Sequence, residues 1–141
     1  MSGDVDNNDT VDANGVVADP SGIVGGNSYR VVTGSAISSS VVVNGLTITG
    51  GSNVVGATPS GAGMALDGAD LALENLTFRG NVSLEAGALY VGNGSTPTIS
   101  HSAFVNNRAS MYGGGAIIVN NSSLAIDTTL FSSNVVDARC V

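Results

Sequence analysis

Three copies of the tetrapeptide F-x-x-N recur along this chain at an almost fixed interval: Phe78-Arg79-Gly80-Asn81, Phe104-Val105-Asn106-Asn107 and Phe131-Ser132-Ser133-Asn134. The phenylalanines lie 26 and then 27 residues apart, and the asparagines keep the same register. A weaker copy stands 30 residues upstream, with Ile48 in the aromatic place and Gly51 in the asparagine place. Recurrence at this length means one small unit stacked along an axis, each unit burying its apolar side against the next. The chain is therefore expected to be a solenoid, and its 141 residues leave room for one domain.

Columns emerge when the copies are aligned. Five residues before the aromatic position stand Val43, Leu73, Ile99 and Ile126, an unbroken aliphatic series. Two residues before it stand Leu46, Leu76, Ser102 and Thr129. A second apolar stretch follows each asparagine: Ala65-Leu66, Ala88-Leu89-Tyr90-Val91 and Ala116-Ile117-Ile118-Val119, preceded by Gly63, Gly87 and Gly115. These pieces are too short for helices, and β-branched residues between Gly, Asn and Ser clusters read as strands. Two or three short strands per coil predict an all-β, right-handed, single-stranded parallel β-helix of about four rungs of 26–30 residues. The β-helix should run over 23–136, with an acidic polar leader or N-terminal cap over 1–22 and a frayed end over 137–141. Ser52 to Ser60 reads as a loop inserted at one corner.

The columns predict what lies inside. Asn81, Asn107 and Asn134 should sit at corners, tolerating left-handed geometry while their amides bond to backbone or to the next rung. Phe78, Phe104 and Phe131 should stack as an aromatic ladder, each contributing roughly 1.5–3 kcal/mol by burial. Gly63, Gly87 and Gly115 should fit tight corners that exclude a Cβ. Val16 to Val32 is a candidate cap for the first coil. The other end shows none, and unpaired strand edges there favour end-to-end self-association.

Charge removes some partners. The chain has no lysine, and four arginines face eleven acids for a net charge of −7. Nucleic acid and anionic membranes both require clustered Lys or Arg, so no nucleic-acid binding is expected. No apolar run approaches the roughly 20 residues of a membrane span, and no export signal is visible in this stretch. Cys140, the single cysteine, can form no internal disulfide and reads as incidental.

With both tetrapeptides in view, the chain resembles the polymorphic outer membrane protein (Pmp) family, in which G-G-A-I and F-x-x-N alternate along a β-helix. Gly114-Gly115-Ala116-Ile117 matches the first in full, Ala86-Gly87-Ala88-Leu89 nearly so, and Ala62-Gly63-Met64-Ala65-Leu66 with an insertion. The resemblance covers Val41 to Asn134. It implies a pectin-lyase-like fold and the passenger segment of an autotransporter adhesin, at the cell surface, in the outer membrane or secreted. The implied partner is a protein or glycan on a host or neighbouring cell. A translocator barrel and further rungs are not in this sequence, which reads as a piece of a longer array.

Catalytic chemistry finds little footing. The alternative is a fragment of a carbohydrate-active β-helix, which needs clustered carboxylates or calcium beside a Lys or Arg. Glu74 shares a column with Asn44, Ser100 and Asp127, so two carboxylates stand two rungs apart, about 10 Å, a separation compatible with an inverting glycosidase. The reading preferred for them is a solvated outer edge with scattered acids. His101, the sole histidine, stacks with Gly45, Asn75 and Thr128; no Ser or Cys reads as paired with it and no second ligand stands in its column, so it is expected to be structural or exposed. Asp4, Asp6, Asp9 and Asp12 with Asn7 and Asn8 suggest calcium loops, but the glycine and distal Glu of an EF-hand are missing. The expectation is no catalytic residue, no metal and no cofactor. Sequons begin at Asn8, Asn75, Asn81, Asn93, Asn120 and Asn121, of which Asn81 should be buried. Thr47-Ile48-Thr49 suggests an ice-binding row, but its column continues as Thr77, Ala103 and Leu130.

Overall fold

The structure is a computed structural model that describes residues 1–55, 61–111 and 113–137. It is an all-β solenoid whose strands form four parallel sheets, each four strands deep. The first coil runs through β1 (Val32–Ser35), β2 (Val41–Asn44), β3 (Thr47–Thr49) and β4 (Ser52–Asn53). The second repeats the circuit with β5 (Met64–Asp67), β6 (Leu71–Glu74), β7 (Thr77–Arg79) and β8 (Val82–Ser83). The third uses β9 (Leu89–Gly92), β10 (Thr98–Ser100), β11 (Ala103–Val105) and β12 (Arg108–Ala109). The fourth ends with β13 (Ile117–Asn120), β14 (Ala125–Asp127), β15 (Leu130–Ser132) and β16 (Val135–Val136). Each coil thus has four strands where the sequence suggested two or three.

Corners explain the brevity of the strands. In all four coils the residue after the first strand has positive φ: Ala36, Gly68, Asn93 and Asn121. So does the residue after the second strand, at Gly45, Asn75, His101 and Thr128, and the one after the third, at Gly50, Gly80, Asn106 and Ser133. One left-handed residue turns the chain sharply enough that strands of two to four residues can follow one another. The fourth corner, between the last strand of one coil and the first of the next, is longer and variable. The inserted segment falls there, but it is shorter than expected: Ser52–Asn53 is β4, Asn53 is fully buried, and residues 56–60 lie outside the described residues.

Pairing follows the predicted columns on two sheets. Val43, Leu73, Ile99 and Ile126 stand in register, as do Ile48, Phe78, Phe104 and Phe131. The first sheet corrects the alignment by one residue. Met64 pairs with Leu89 and Leu89 with Ile117, so no residue is inserted there. Gly63 consequently stands level with Ala88 and Ala116, while Ala62 is level with Gly87 and Gly115. The core is the coil interior, where Ile48, Leu66, Leu73, Phe78, Leu89, Ile99 and Phe104 are sealed from solvent.

The N-terminal segment is laid against the first coil. Thr49 N–H donates to Met1 O at 3.1 Å and Gly3 N–H to Thr49 O at 2.9 Å, so the first residues add a short strand beside β3. Ser52 N–H donates to Ser28 O at 3.0 Å, which covers β4 in the same way. Between these contacts the chain runs along the outside of the coil. Val17 is buried, with its N–H on Thr49 Oγ1 at 3.0 Å. Ala18 O accepts from Arg79 Nε at 3.1 Å and from Asn106 Nδ2 at 2.9 Å, reaching the third coil before a 3-10 turn at Pro20–Gly22. At the other end Asp137 N–H bonds Ala109 O at 2.8 Å, and its carboxylate pairs with Arg108. Cys140 lies outside the described residues.

Candidate functional site

The F-x-x-N residues line the interior. Phe78 and Phe104 rings stack with centroids 4.6 Å apart, and Phe104 and Phe131 at 5.1 Å, nearly parallel in both cases. Beside them the asparagines form a directional chain. Asn81 Nδ2 donates to Asn107 Oδ1 at 3.0 Å, and Asn107 Nδ2 to Asn134 Oδ1 at 2.9 Å. The backbone N–H groups of Asn81 and Asn107 donate to the same oxygens, each at 3.1 Å. The second amide hydrogen of each side chain reaches a carbonyl of the preceding coil: Ile48 O for Asn81, Phe78 O for Asn107 and Phe104 O for Asn134. In the first coil, Gly51 N–H donates to Asn81 Oδ1 at 3.1 Å.

One expectation about these asparagines is corrected. None of the three has positive φ; the left-handed residue is the one before, at Gly80, Asn106 and Ser133. That turn is what swings the asparagine inward. The corner glycines likewise owe their identity to close approach and not to φ. A Cβ on Gly87 would overlap Gly115 O, one on Gly115 would lie 2.5 Å from Val135 O, and one on Gly63 would lie 2.8 Å from Ala88 O.

The acidic residues are occupied locally. Asp67 accepts from Asn93 Nδ2 at 2.8 Å, and Asp70 accepts from Thr96 N–H and Oγ1 at 2.8 and 2.6 Å, each bridging two coils. Glu74 accepts from Asn44 Nδ2 at 3.0 Å. Asp127 shares its column, with Ser100 between them. His101 is an exposed left-handed corner residue whose column also holds Gly45, Asn75 and Thr128.

In the N-terminal segment the carboxylates fold their own loops. Asp4 accepts from Asn8 and Asp9 N–H, and Asp9 from Val24 N–H and Asn27 Nδ2. Burial opposes the charged form of Asp4, but the N–H groups of Asp9, Asn8 and Asn7 outweigh it and hold the carboxyl below its ordinary 3.8. The Ser21 hydroxyl and N–H, aided by Arg79, hold Asp19 down in the same way. Among the described residues no group of three or more His, Cys, Asp or Glu could hold a metal ion.

The outer faces of the second and third sheets remain. Val42, Ala72, Thr98 and Ala125 form one row, Asn44, Glu74, Ser100 and Asp127 the next, and Thr47, Thr77, Ala103 and Leu130 a third across the corner. The outer side of the first sheet is different, because Ala65, Tyr90 and Ile118 pack together there with Ala86 and are largely covered. An open groove of about 510 Å³ lies between the N-terminal segment and β4, bordered by Gly25, Asn27, Tyr29, Ser52 and Val54. Asn81 is buried, whereas the other sequon asparagines, Asn8, Asn75, Asn93, Asn120 and Asn121, are exposed. Among the described residues no helix is long and apolar enough to cross a membrane. No family model matches the chain, and neither does any curated protein or solved structure.

Proposed function

We propose that this chain acts without catalysis, as a β-helix module that presents a flat face to a protein or glycan on a host or neighbouring cell. The observation carrying this reading is the run of outward rows on the second and third sheets. Small and hydroxyl side chains repeat there at strand spacing, about 4.8 Å, and only Glu74, Arg79 and Asp127 bring charge. Recognition surfaces are depleted of charge at their centres, because desolvating an ion costs more than desolvating a hydroxyl or methyl. The alternating G-G-A-I and F-x-x-N tetrapeptides support a Pmp-like passenger segment, which would stand at the cell surface, in the outer membrane or in secreted material. Every carboxylate described above has a local structural role or stands alone, and this favours a contact surface over a carbohydrate-active fragment.

The test is binding of the purified chain to cultured cells and to a glycan array. Thr98→Arg with Ser100→Arg places two long cations in the middle of the face without touching the interior. Binding should fall by about tenfold or more while the melting temperature holds. Binding unaffected by the pair, or absent from every surface, overturns the reading. Depolymerisation of an acidic polysaccharide, with or without calcium, would replace it with the carbohydrate-active one.

A further inference from the structure

At the edge of the second sheet, Ser39, Asp70, Leu71, Ala72, Thr96 and Thr98 enclose a notch of about 160 Å³. It is shared by the first three coils and lies on the side of the solenoid. The backbone positions its one charge: Asp70 N–H donates to Ile37 O at 2.8 Å, which holds Asp70 beside the turn carrying Ser39. Asp70 Oδ1 is used within the fold, taking Thr96 N–H at 2.8 Å and Thr96 Oγ1 at 2.6 Å. Asp70 Oδ2 receives no donor among the described residues. Thr96 has spent its hydroxyl hydrogen on Asp70, so toward a ligand its oxygen can only accept. Thr98, level with Ala72 on the neighbouring strand, adds an exposed hydroxyl.

Such a notch offers acceptors and one negative charge, and asks for a compact group that only donates. An ammonium has three donors and no acceptor, and the methylenes of a lysine stem can lie on Ala72. A guanidinium fork fits less well, because it pairs with both oxygens of a carboxylate and Oδ1 is already occupied. A sugar is served less well too: its hydroxyls donate and accept, and the notch is smaller than the roughly 300 Å³ at which small-molecule sites begin. The chain has a net charge of −7, which draws a cationic partner, and no lysine, so a second copy has no such side chain to offer. We propose that this notch seats a lysine side chain of a protein partner, whose ammonium bonds Asp70 Oδ2 and the hydroxyl oxygens of Thr96 and Thr98. The inference rests on the outer-face reading and narrows its partner to a protein that presents a lysine.

The probe for the notch is n-butylammonium chloride, exchanged for sodium chloride at constant ionic strength and followed by amide resonances of the isotopically labelled chain. Saturable shifts are expected at Asp70, Ala72, Thr96 and Thr98, and tetramethylammonium, which has no donor, should give none there. Asp70→Asn keeps an oxygen for Thr96 and turns the open acceptor into a donor, so it should weaken butylammonium binding about fivefold. Thr98→Val leaves Asp70 untouched and should weaken it about twofold. Asp67→Asn, at the inter-coil bridge outside the notch, should leave it unchanged. Equal shifts with tetramethylammonium, or an affinity unchanged in both Asp70→Asn and Thr98→Val, would overturn the site. The partner is read on cultured cells: acetylating their surface amines should abolish binding of the chain, and trimming their glycans should not. Binding lost only on trimming would make the partner a glycan and overturn the lysine. Binding that survives acetylation yet falls with Thr98→Arg and Ser100→Arg would overturn the lysine and leave the face standing. The amine titration uses no cell, so its failure is distinct from a failure of the outer-face reading.

Discussion

Asn107 makes every hydrogen bond its side chain can make, all inside the coil: two donated, to Phe78 O and Asn134 Oδ1, and two accepted from Asn81. Asn107→Ala strands both Asn81 donors in a dry interior, where an unpaired group costs about 1–3 kcal/mol. Chemical denaturation should show a loss of about 3 kcal/mol. Asn14→Ala, at an exposed turn, is the neutral comparison and should stay within about 0.5 kcal/mol of the parent. The corners offer a gain. Thr128 is β-branched at φ +43°, a conformation that costs such a residue and that Asn accepts readily. Thr128→Asn should raise stability by about 0.5–1 kcal/mol, read from the same denaturation curves. His101 sits at the same corner position in its coil, so its presence there needs no catalytic explanation.

At the scale of strands and ladders, depth in the stack sets the cost of a change. Phe104 has an aromatic neighbour on each side and no solvent contact, and Phe104→Ala should cost about 3–5 kcal/mol. Phe131 has one neighbour and an open face, so Phe131→Ala should cost only about 1–2 kcal/mol in the same melting experiment. Such ladders were legible in the sequence because in-register parallel pairing sets like upon like, and the Phe, Asn and aliphatic columns survive simple alignment. The first sheet was less legible. Small residues on both sides of Met64 fit two registers equally well, and only the pairing of Met64 with Leu89 decides between them. Left-handed corners were partly hidden too, because Ala36, His101, Thr128 and Ser133 share no side-chain chemistry with the Gly and Asn of their columns. The N-terminal cap had no periodic signal, since its contacts are backbone pairs and Asp-centred turns. Those turns carry a pH dependence. Asp4 and Asp19 have folded pKa values below their unfolded ones, so what they contribute is complete above about pH 4 and is lost as pH falls through the folded values. Resonances of Gly3, Thr49 and Val17 should therefore shift as the sample is acidified below about pH 4, while those of Asn81 and Asn107 stay in place.

Across the whole molecule, stability in a solenoid is a sum over coils and the interfaces between them, so its ends and its middle need not open together. Here the ends differ in kind. The first coil is bound by Met1 to Gly3 and Ser28, and the segment from Val17 to Ala18 ties it sideways to Arg79 and Asn106 in the second and third coils. Among the described residues the fourth coil pairs only with the third, and Phe131, Ile126 and Leu130 are exposed. Backbone amides whose partners lie in the second and third coils, such as Ala103 on Leu76 O and Arg108 on Asn81 O, should exchange only with global unfolding. Leu130 and Val135, bonded back to Ser102 O and Asn107 O, should exchange sooner, through peeling of the last coil alone. Uniform exchange in all four coils would instead make the chain one cooperative unit, and the unlike ends would have no energetic expression.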